Sequence, residues 1–453
     1  MELVQHEQRV LWADAPPDVL GLIVGRLPIL ADRFRFGAVC RPWHAAERLV
    51  PRPGPLPWLA LSLPASPTAD RAAFYSLSGK AVHQLPFPAG GGVCARVCGS
   101  ADDWLVVAHR KRGNFLFNPF AGATLPLPHQ RTITRSYVRR GNHSMVEYYP
   151  RGNQREPYIR KAVLSRPPDV DDPGRCVVAT IADSGELFFC RPGQSSWRRP
   201  RMRDYYVIRY RDQVEDITFY NGRLYVVVKS VVGRSYDSVR VFDVDEDADK
   251  LVVSRNGGGF VRKLHDIVGD ESVYADEEAP HHPLHPLPRL ERRYLVESRG
   301  RLLMVERHCW RHGRRTTHTF RVFSRAPVPV LPEGYRRPIR PWMPLESLDG
   351  EVLFLGGSGS RSFAASELEG GDDDGDCIYF TDDRYPEEER NSPYSMRDDW
   401  YSICYDDPRR SNLPCHDIGR YSMRDESVTF LKDLAPNQRR SPPTWLYLSD
   451  QRR

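Results

Sequence analysis

Long apolar runs, paired cysteines and signal segments are all missing from this sequence. No stretch approaches the roughly 20 consecutive apolar residues that a membrane-spanning helix needs. The most apolar segment, 19–30, contains Arg26 and Pro28 and has no small-residue cleavage site, which excludes a signal peptide. The nine cysteines are scattered from Cys40 to Cys415, unlike the dense spacing of a secreted disulfide scaffold. We therefore expect a soluble protein with reduced thiols, in the cytoplasm, the nucleus or both.

A strong net charge is missing too. The 453 residues include 65 basic side chains, mostly arginine, against 59 acidic ones, which leaves a net charge of +6. Charge so nearly balanced is typical of an ordinary solvated surface, so nucleic-acid binding is not expected. Apolar residues make up 40% of the chain, enough for a sizeable core, and the length predicts more than one folding unit.

Each candidate catalytic or metal-binding motif lacks a feature that its chemistry requires. The segment 356–360 nearly spells the nucleophile-elbow motif G-x-S-x-G, but Ser360 replaces its final glycine, and a hairpin turn fits better. The histidines of the stretch 281–286 alternate with prolines that deny them a helix. The acidic run 372–376 has Gly370 where a calcium loop requires aspartate. The sequence therefore predicts neither an enzyme nor a cofactor or metal site.

Three short helices are expected within the first 50 residues. Apolar side chains recur at helical spacing in the segment 16–27, and Pro28 ends that helix. Asp32 is placed to cap a second helix, and Pro42 lies in the first turn of a third helix that ends at Leu49. Three helices of this size form too small a core to be stable alone, so the unit needs a partner or a neighbouring domain.

The rest of the chain is predicted to be β-structure. The Pro-rich stretch 51–57 is expected to be a stiff linker between a helical unit at 12–50 and a β domain at 58–448. Short strands with little helical patterning follow one another through this second domain. The strand candidates are 58–63, 104–108, 176–181, 224–228, 239–244, 302–305 and 352–355.

A weak internal repeat indicates the architecture of the β domain. A glycine turn, a charged residue and an apolar run recur around Gly185, Gly222, Gly300 and Gly350, with a fainter copy at 78–80. Glycine there allows the positive φ of a hairpin turn. A period of about 40 to 50 residues with several strands per repeat is typical of a β-propeller. The alternative is a pair of irregular sheets in a β-sandwich. The predicted fold class is α+β and multidomain, with three helices followed by an all-β domain of propeller type.

One N-terminal pattern is specific. Two prolines and Asp18 precede a helix with apolar residues at fixed positions, and the sequence Val39-Cys40-Arg41 with Trp43 follows about 20 residues later. This order of residues resembles the F-box, a unit of about 35 residues that docks onto a Skp-type adaptor and, through it, onto a cullin. The resemblance assigns adaptor binding to Pro16, Pro17, Leu20, Ile23, Leu27, Val39, Cys40 and Trp43.

The chain departs from the F-box pattern at Ala15. The family usually has a leucine there that inserts into the adaptor, and loss of that side chain would cost about 2 kcal/mol of buried area. Trp12 could compensate for it. Two alternatives stay open: the helices could only cap the β domain, or the F-box could be vestigial.

The β domain resembles a large family of plant F-box proteins with a kelch-like domain. That resemblance implies a propeller-like fold that recognises a target protein, for a non-catalytic ligase adaptor without cofactors. A propeller scaffold, or a carbohydrate- or small-molecule-binding propeller, is the alternative. The segments that carry the resemblance are 118–128, 294–304, 320–323, 342–356, 377–383 and 442–445.

A short duplication lies near the C-terminal end of the sequence. The residues Tyr-Ser-Met-Arg-Asp occur at 394–398 and again at 421–425, each followed by an acidic residue. Either a local duplication added a hairpin, or the repetition arose by chance in a polar loop. No function is assigned to either copy.

Overall fold

The computed structural model describes most of the two predicted regions. The described residues are 12, 15–27, 30–49, 57–62, 70–77, 80–88, 95–109, 112–133, 135–138, 145–148, 158–183, 185–199, 212–230, 238–244, 253–255, 262–263, 288–310, 316–325, 342–368, 375–383, 417–431 and 443–447. The predictions for 51–56, 281–286, 372–374 and 394–399 lie outside them.

Three short helices form the N-terminal part: α1 (Pro17–Gly25), α2 (Leu30–Gly37) and α3 (Arg41–Leu49). α1 begins with proline, as expected, but ends two residues before the predicted end. Its last turn tightens, because the N–H groups of Arg26 and Leu27 bond to carbonyl groups three residues earlier. The predicted cap at Asp32 is wrong, since α2 begins at Leu30 and Asp32 lies inside the helix. No helix within the described residues is long and apolar enough to cross a membrane.

Six sheets, which we call blades one to six, follow the helices. Blade one contains β1 (Trp58–Ser62), β2 (Arg71–Ser76), β3 (Ala81–Pro86) and β27 (Thr444–Leu446), and blade two contains β4 (Ala95–Ala101), β5 (Trp104–His109), β6 (Asn114–Phe117) and β7 (Thr124–Leu127). A separate hairpin, β8 (Arg135–Val138) with β9 (Met145–Tyr148), precedes blade three, which contains β10 (Ile159–Leu164), β11 (Val178–Ala182) and β12 (Leu187–Cys190).

The remaining strands form blades four to six. Blade four contains β13 (Asp212–Tyr220), β14 (Arg223–Ser230), β15 (Ser238–Val244), β16 (Val253–Arg255) and β17 (Arg262–Lys263). Blade five contains β18 (Arg289–Ser298), β19 (Arg301–Trp310), β20 (Thr316–Arg325) and β21 (Trp342–Leu345). Blade six contains β22 (Glu351–Leu355), β23 (Arg361–Ala364), β24 (Cys377–Phe380), β25 (Gly419–Ser422) and β26 (Ser427–Phe430). All seven predicted strands are confirmed.

The blades are arranged in a ring. In each blade, one strand at the end of the strand order belongs to a common set: β27, β4, β10, β13, β18 and β23. These strands also contact one another from blade to blade, from β27 to β4 and onward through β10, β13 and β18 to β23. They are therefore the inner strands around a common axis. The described residues form a six-bladed β-propeller, and the β-sandwich alternative is wrong.

The ring is closed by strands from both ends of the β domain. β27 pairs antiparallel with β1, so that Trp58 lies opposite Leu446 and Ala60 opposite Thr444. The inner strand of blade one therefore comes from the C-terminal part of the chain, and its other strands from the N-terminal part. Blade six is irregular in another way: β22 and β24 run parallel, because β23 and a long connection separate them in sequence.

Six apolar clusters fill the spaces between neighbouring blades. Alternate residues of one strand point to opposite faces, so each blade contributes to two clusters. In β5, Leu105 and Val107 pack towards blade one, and Val106 packs towards blade three. This packing on both faces explains why the strands are continuous apolar runs rather than alternating ones.

The predicted glycine turns are confirmed as turns, but they are not equivalent. Gly185, Gly222, Gly300 and Gly350 all have positive φ, between 68° and 82°. The turns at Gly222 and Gly300 join an inner strand to the second strand of its blade. The turn at Gly185 joins the second and third strands of blade three, and Gly350 lies between blades five and six. The repeat therefore marks tight turns and does not mark one fixed position in the blade.

Two other sequence features also form turns. Residues 356–360 connect β22 and β23, which pair antiparallel, so the predicted hairpin turn is confirmed. The second copy of the duplication forms the hairpin of β25 and β26, with Glu426 at a φ of 51°.

Candidate functional site

The N-terminal helices enclose a small apolar core. Leu20 and Val24 of α1 are fully buried and pack with Phe36 and Ala46. The rings of Phe36 and Trp43 are 4.2 Å apart between centroids. The Trp43 indole N–H donates to the main-chain carbonyl of Trp12 at 3.0 Å. The inner face of α1 therefore packs against α2 and α3.

The opposite face of α1 is apolar as well. Val19 is 39% exposed and Leu22 is 60% exposed, and the two lie one helical turn apart. Val39, just after α2, is 60% exposed, and Trp12 is 69% exposed. These four are most of the seven large apolar side chains that the described residues expose. A helix that is apolar on two sides is normally buried on both, so this surface fits a partner.

The structure divides the residues that the F-box resemblance assigned to adaptor binding. Leu20 is buried, and four others are half-buried: Ile23, Leu27, Cys40 and Trp43. Pro16, Pro17 and Val39 are exposed. Their part in binding stays a prediction. Sequence reasoning missed Leu22, although its spacing from Val19 marks a second apolar stripe on α1.

Polar contacts in the propeller join neighbouring blades. Arg96 of blade two donates to the carbonyl of Ile159 on the inner strand of blade three. Arg160 of that strand donates to the carbonyl of Val214 on the inner strand of blade four. The Asp216 carboxylate accepts the Leu295 N–H of blade five at 2.7 Å. Inner strands have one unpaired edge, and these side chains satisfy part of it.

A buried arginine connects blades five and six. Arg307 donates to the Asp417 carboxylate at 3.0 Å and to the Thr381 carbonyl at 2.8 Å. It also donates to the hydroxyl of Tyr294, which in turn donates to Asp383. Burial and the negative charge of Asp383 raise the pKa of Tyr294 well above its ordinary value, so the phenol stays protonated. The arrangement is that of a structural bridge between blades.

The turn at 356–360 is held in a similar way. The Gly357 N–H donates to Asp383 at 2.7 Å, and the Ser358 hydroxyl lies 3.0 Å from that of Thr444 in blade one. Ser358 is buried, and its hydroxyl partner is no base. This arrangement fits a turn that joins blade six to blade one better than it fits a nucleophile. Among the described residues, no three metal-ligating side chains lie together.

Together these features define a six-bladed β-propeller with a short helical unit before it. The chain belongs to the KIB1-4 beta-propeller family, whose family model matches residues 74–422. That match confirms the propeller domain. It does not extend to the N-terminal helices.

Solved structures resemble the chain only at a low level. An ancestral GH74 enzyme is 11% identical with a TM-score of 0.25, over 73% of this chain and 34% of its own. The Cps50 (Swd1) beta-propeller domain of Myceliophteria thermophila is 11% identical with a TM-score of 0.22, over 60% and 84%. BamB from Moraxella catarrhalis is 12% identical with a TM-score of 0.20, over 59% and 84%. The chain spans about a third of the GH74 enzyme, and none of these similarities indicates a function. A search of curated proteins found no match.

Proposed function

We propose that this protein is the target-recognition subunit of a Skp–cullin–F-box ubiquitin ligase. The helices bind a Skp-type adaptor, and the propeller binds a target protein. The observation that carries the proposal is the second apolar face of α1, where Val19 and Leu22 lie outside the apolar core that the described helix residues form. The F-box resemblance of the surrounding residues supports the same role.

The proposed role needs no active site in this chain. A cullin bound to the adaptor carries a ubiquitin-charged enzyme, and the propeller holds the target so that its lysines lie near that enzyme. The rate gain comes from converting a bimolecular encounter into an effectively intramolecular one. A rigid propeller is suited to this task, because buried hydrogen bonds between its blades hold them in one arrangement. A target bound to the propeller surface would then be held in a fixed position.

The test is binding of the purified chain to a plant Skp adaptor. Val19→Glu with Leu22→Glu places two charges on the outward face and leaves the helical core intact. Each apolar side chain buried at an interface contributes about 1.5 to 3 kcal/mol. We therefore expect micromolar or tighter binding by the wild type. The variant should lose at least ten-fold in affinity, which corresponds to the lower end of that energy range.

The matched control places the same charges on the propeller. Val170 is 56% exposed and Met343 is 50% exposed, so Val170→Glu with Met343→Glu should bind the adaptor like the wild type. If the wild type does not bind any Skp adaptor, the ligase proposal is wrong. A propeller scaffold, or a propeller that binds a carbohydrate or small molecule, would then become the leading hypothesis.

A further inference from the structure

Exposed basic side chains lie beside the outward apolar surface of the helices. Arg26 follows Leu22 by four residues at the end of α1, which places it next to that side chain. Arg41 begins α3, two residues after the exposed Val39. The apolar surface therefore has a basic neighbour at each of two separate points.

The basic surface continues along α3. Arg41, His44 and Arg48 are spaced by three and four residues, so they share one face of the helix, and all three are exposed. Within the described part of the chain, neither these side chains nor Arg26 make a hydrogen bond or an ion pair. Of the helix carboxylates whose side chains the structure describes, Asp18 is exposed and Glu47 is buried.

Several arginines on the propeller surface are paired, among them Arg223 with Asp243 at 2.9 Å and Arg301 with Asp349 at 2.9 Å. Among the described residues, the guanidinium groups of Arg26 and Arg41 have no such partner, and both lie beside the apolar surface. An interface with an apolar centre and a charged rim is the usual anatomy of protein recognition.

We infer that the helical unit binds a partner whose apolar groove is bordered by carboxylates, which pair with Arg26, Arg41 and Arg48. This inference rests on the proposed function, and it adds the chemistry of the adaptor surface that the helices meet. Rim charges act mainly on the rate of association, because they steer the encounter of the two surfaces. Salt screens such charges over about 10 Å or less at 0.1 M and above, so association should slow as salt is added.

The experiment measures association and dissociation of the full chain with a purified plant Skp adaptor at about 50 and 500 mM NaCl. The test variant is Arg26→Gln with Arg41→Gln and Arg48→Gln, because glutamine keeps the helix propensity of arginine and stays polar while the charge is removed. The matched control is Arg71→Gln with Arg175→Gln and Arg321→Gln, three exposed propeller positions. Thermal unfolding establishes that both variants are folded.

We expect the helix variant to associate about ten-fold more slowly at low salt and to lose most of the salt dependence. The control should behave like the wild type. If the wild type binds but the helix variant shows the same association rate and the same salt dependence, the acidic rim is wrong while the ligase role stands. If the wild type does not bind at either salt concentration, both proposals are overturned.

Discussion

Single residues decide how closely the blades approach one another, and Gly99 is the sharpest case. A Cβ atom on Gly99 in β4 would lie 2.2 Å from the carbonyl oxygen of Ala162 in β10. Backbone atoms of both inner strands would have to move, since no flexible side chain can yield. Gly99→Ala should therefore lower the free energy of unfolding by at least about 2 kcal/mol, measured in urea. Gly174→Ala is the control: its nearest neighbour would be 3.9 Å away, and we expect a change within about 0.5 kcal/mol.

Some local features of the propeller could be predicted from the sequence, and others could not. The positive φ at Gly222 and Gly300 was predictable, because glycine turns between apolar runs have a local cause. The equivalent turn of blade two uses Asp102, at a φ of 48°, and carries no such signal. The close approach at Gly99 depends on a strand some 60 residues away, so no local pattern marks it.

At the scale of elements, β27 closes the ring, and Trp445 anchors it. The indole is 1% exposed, donates to the Leu355 carbonyl at 2.9 Å and packs edge-on against Phe354 of blade six. Trp445→Ala should cost about 3 to 5 kcal/mol of unfolding free energy. Trp445→Phe keeps much of the packing and leaves the carbonyl without its donor, so it should cost less. Equal and small losses for both variants would show that β27 contributes little to closure.

The stability of blade five should respond to acid through its buried carboxylate Glu306, which is paired with Arg293. Burial alone would raise the pKa of Glu306, but the His308 imidazole, 3.5 Å away, and the charge of Arg293 outweigh it and lower the pKa below its ordinary value. A folded-state pKa below the unfolded value gives stability that is present above the unfolded pKa. That stability is lost as the pH falls through the folded value.

Glu306→Gln tests this pH dependence. The variant should be less stable at neutral pH, and its stability should fall less steeply between pH 5 and pH 3, by a slope of up to about 1.4 kcal/mol per pH unit. Urea unfolding at several pH values measures both. Parallel curves for the variant and the wild type would mean that Glu306 titrates alike in the folded and unfolded states.

The strands themselves were predictable, whereas their assembly was only partly so. Runs such as Leu224 to Val228 are buried on both faces, and their composition alone identifies them as strands. The parallel pairing of β22 with β24 has no local signal, because it depends on the long connection between them. The number of blades could not be counted from glycine turns that occupy different places in the blades.

At the scale of the whole molecule, the proposed ligase role exposes the protein itself to modification. A chain held next to a ubiquitin-charged enzyme offers its own lysines as acceptors, and this sequence has seven lysines among its 65 basic residues. Lys161 is buried and paired with Asp216, whereas Lys80 and Lys229 are exposed. Arginine maintains the charge elsewhere without providing an acceptor amine.

We therefore expect little self-ubiquitylation in a reconstituted ligase, and a gain when acceptors are added. Arg71→Lys with Arg175→Lys and Arg321→Lys keeps charge at three exposed positions and adds three amines, so ubiquitin conjugates of this chain should increase. Lys80→Arg with Lys229→Arg should reduce them. Conjugates can be measured by gel mobility and mapped by mass spectrometry. If the added lysines stay unmodified while the target is modified, the propeller surface lies outside the reach of the charged enzyme, and arginine at these positions has no protective effect.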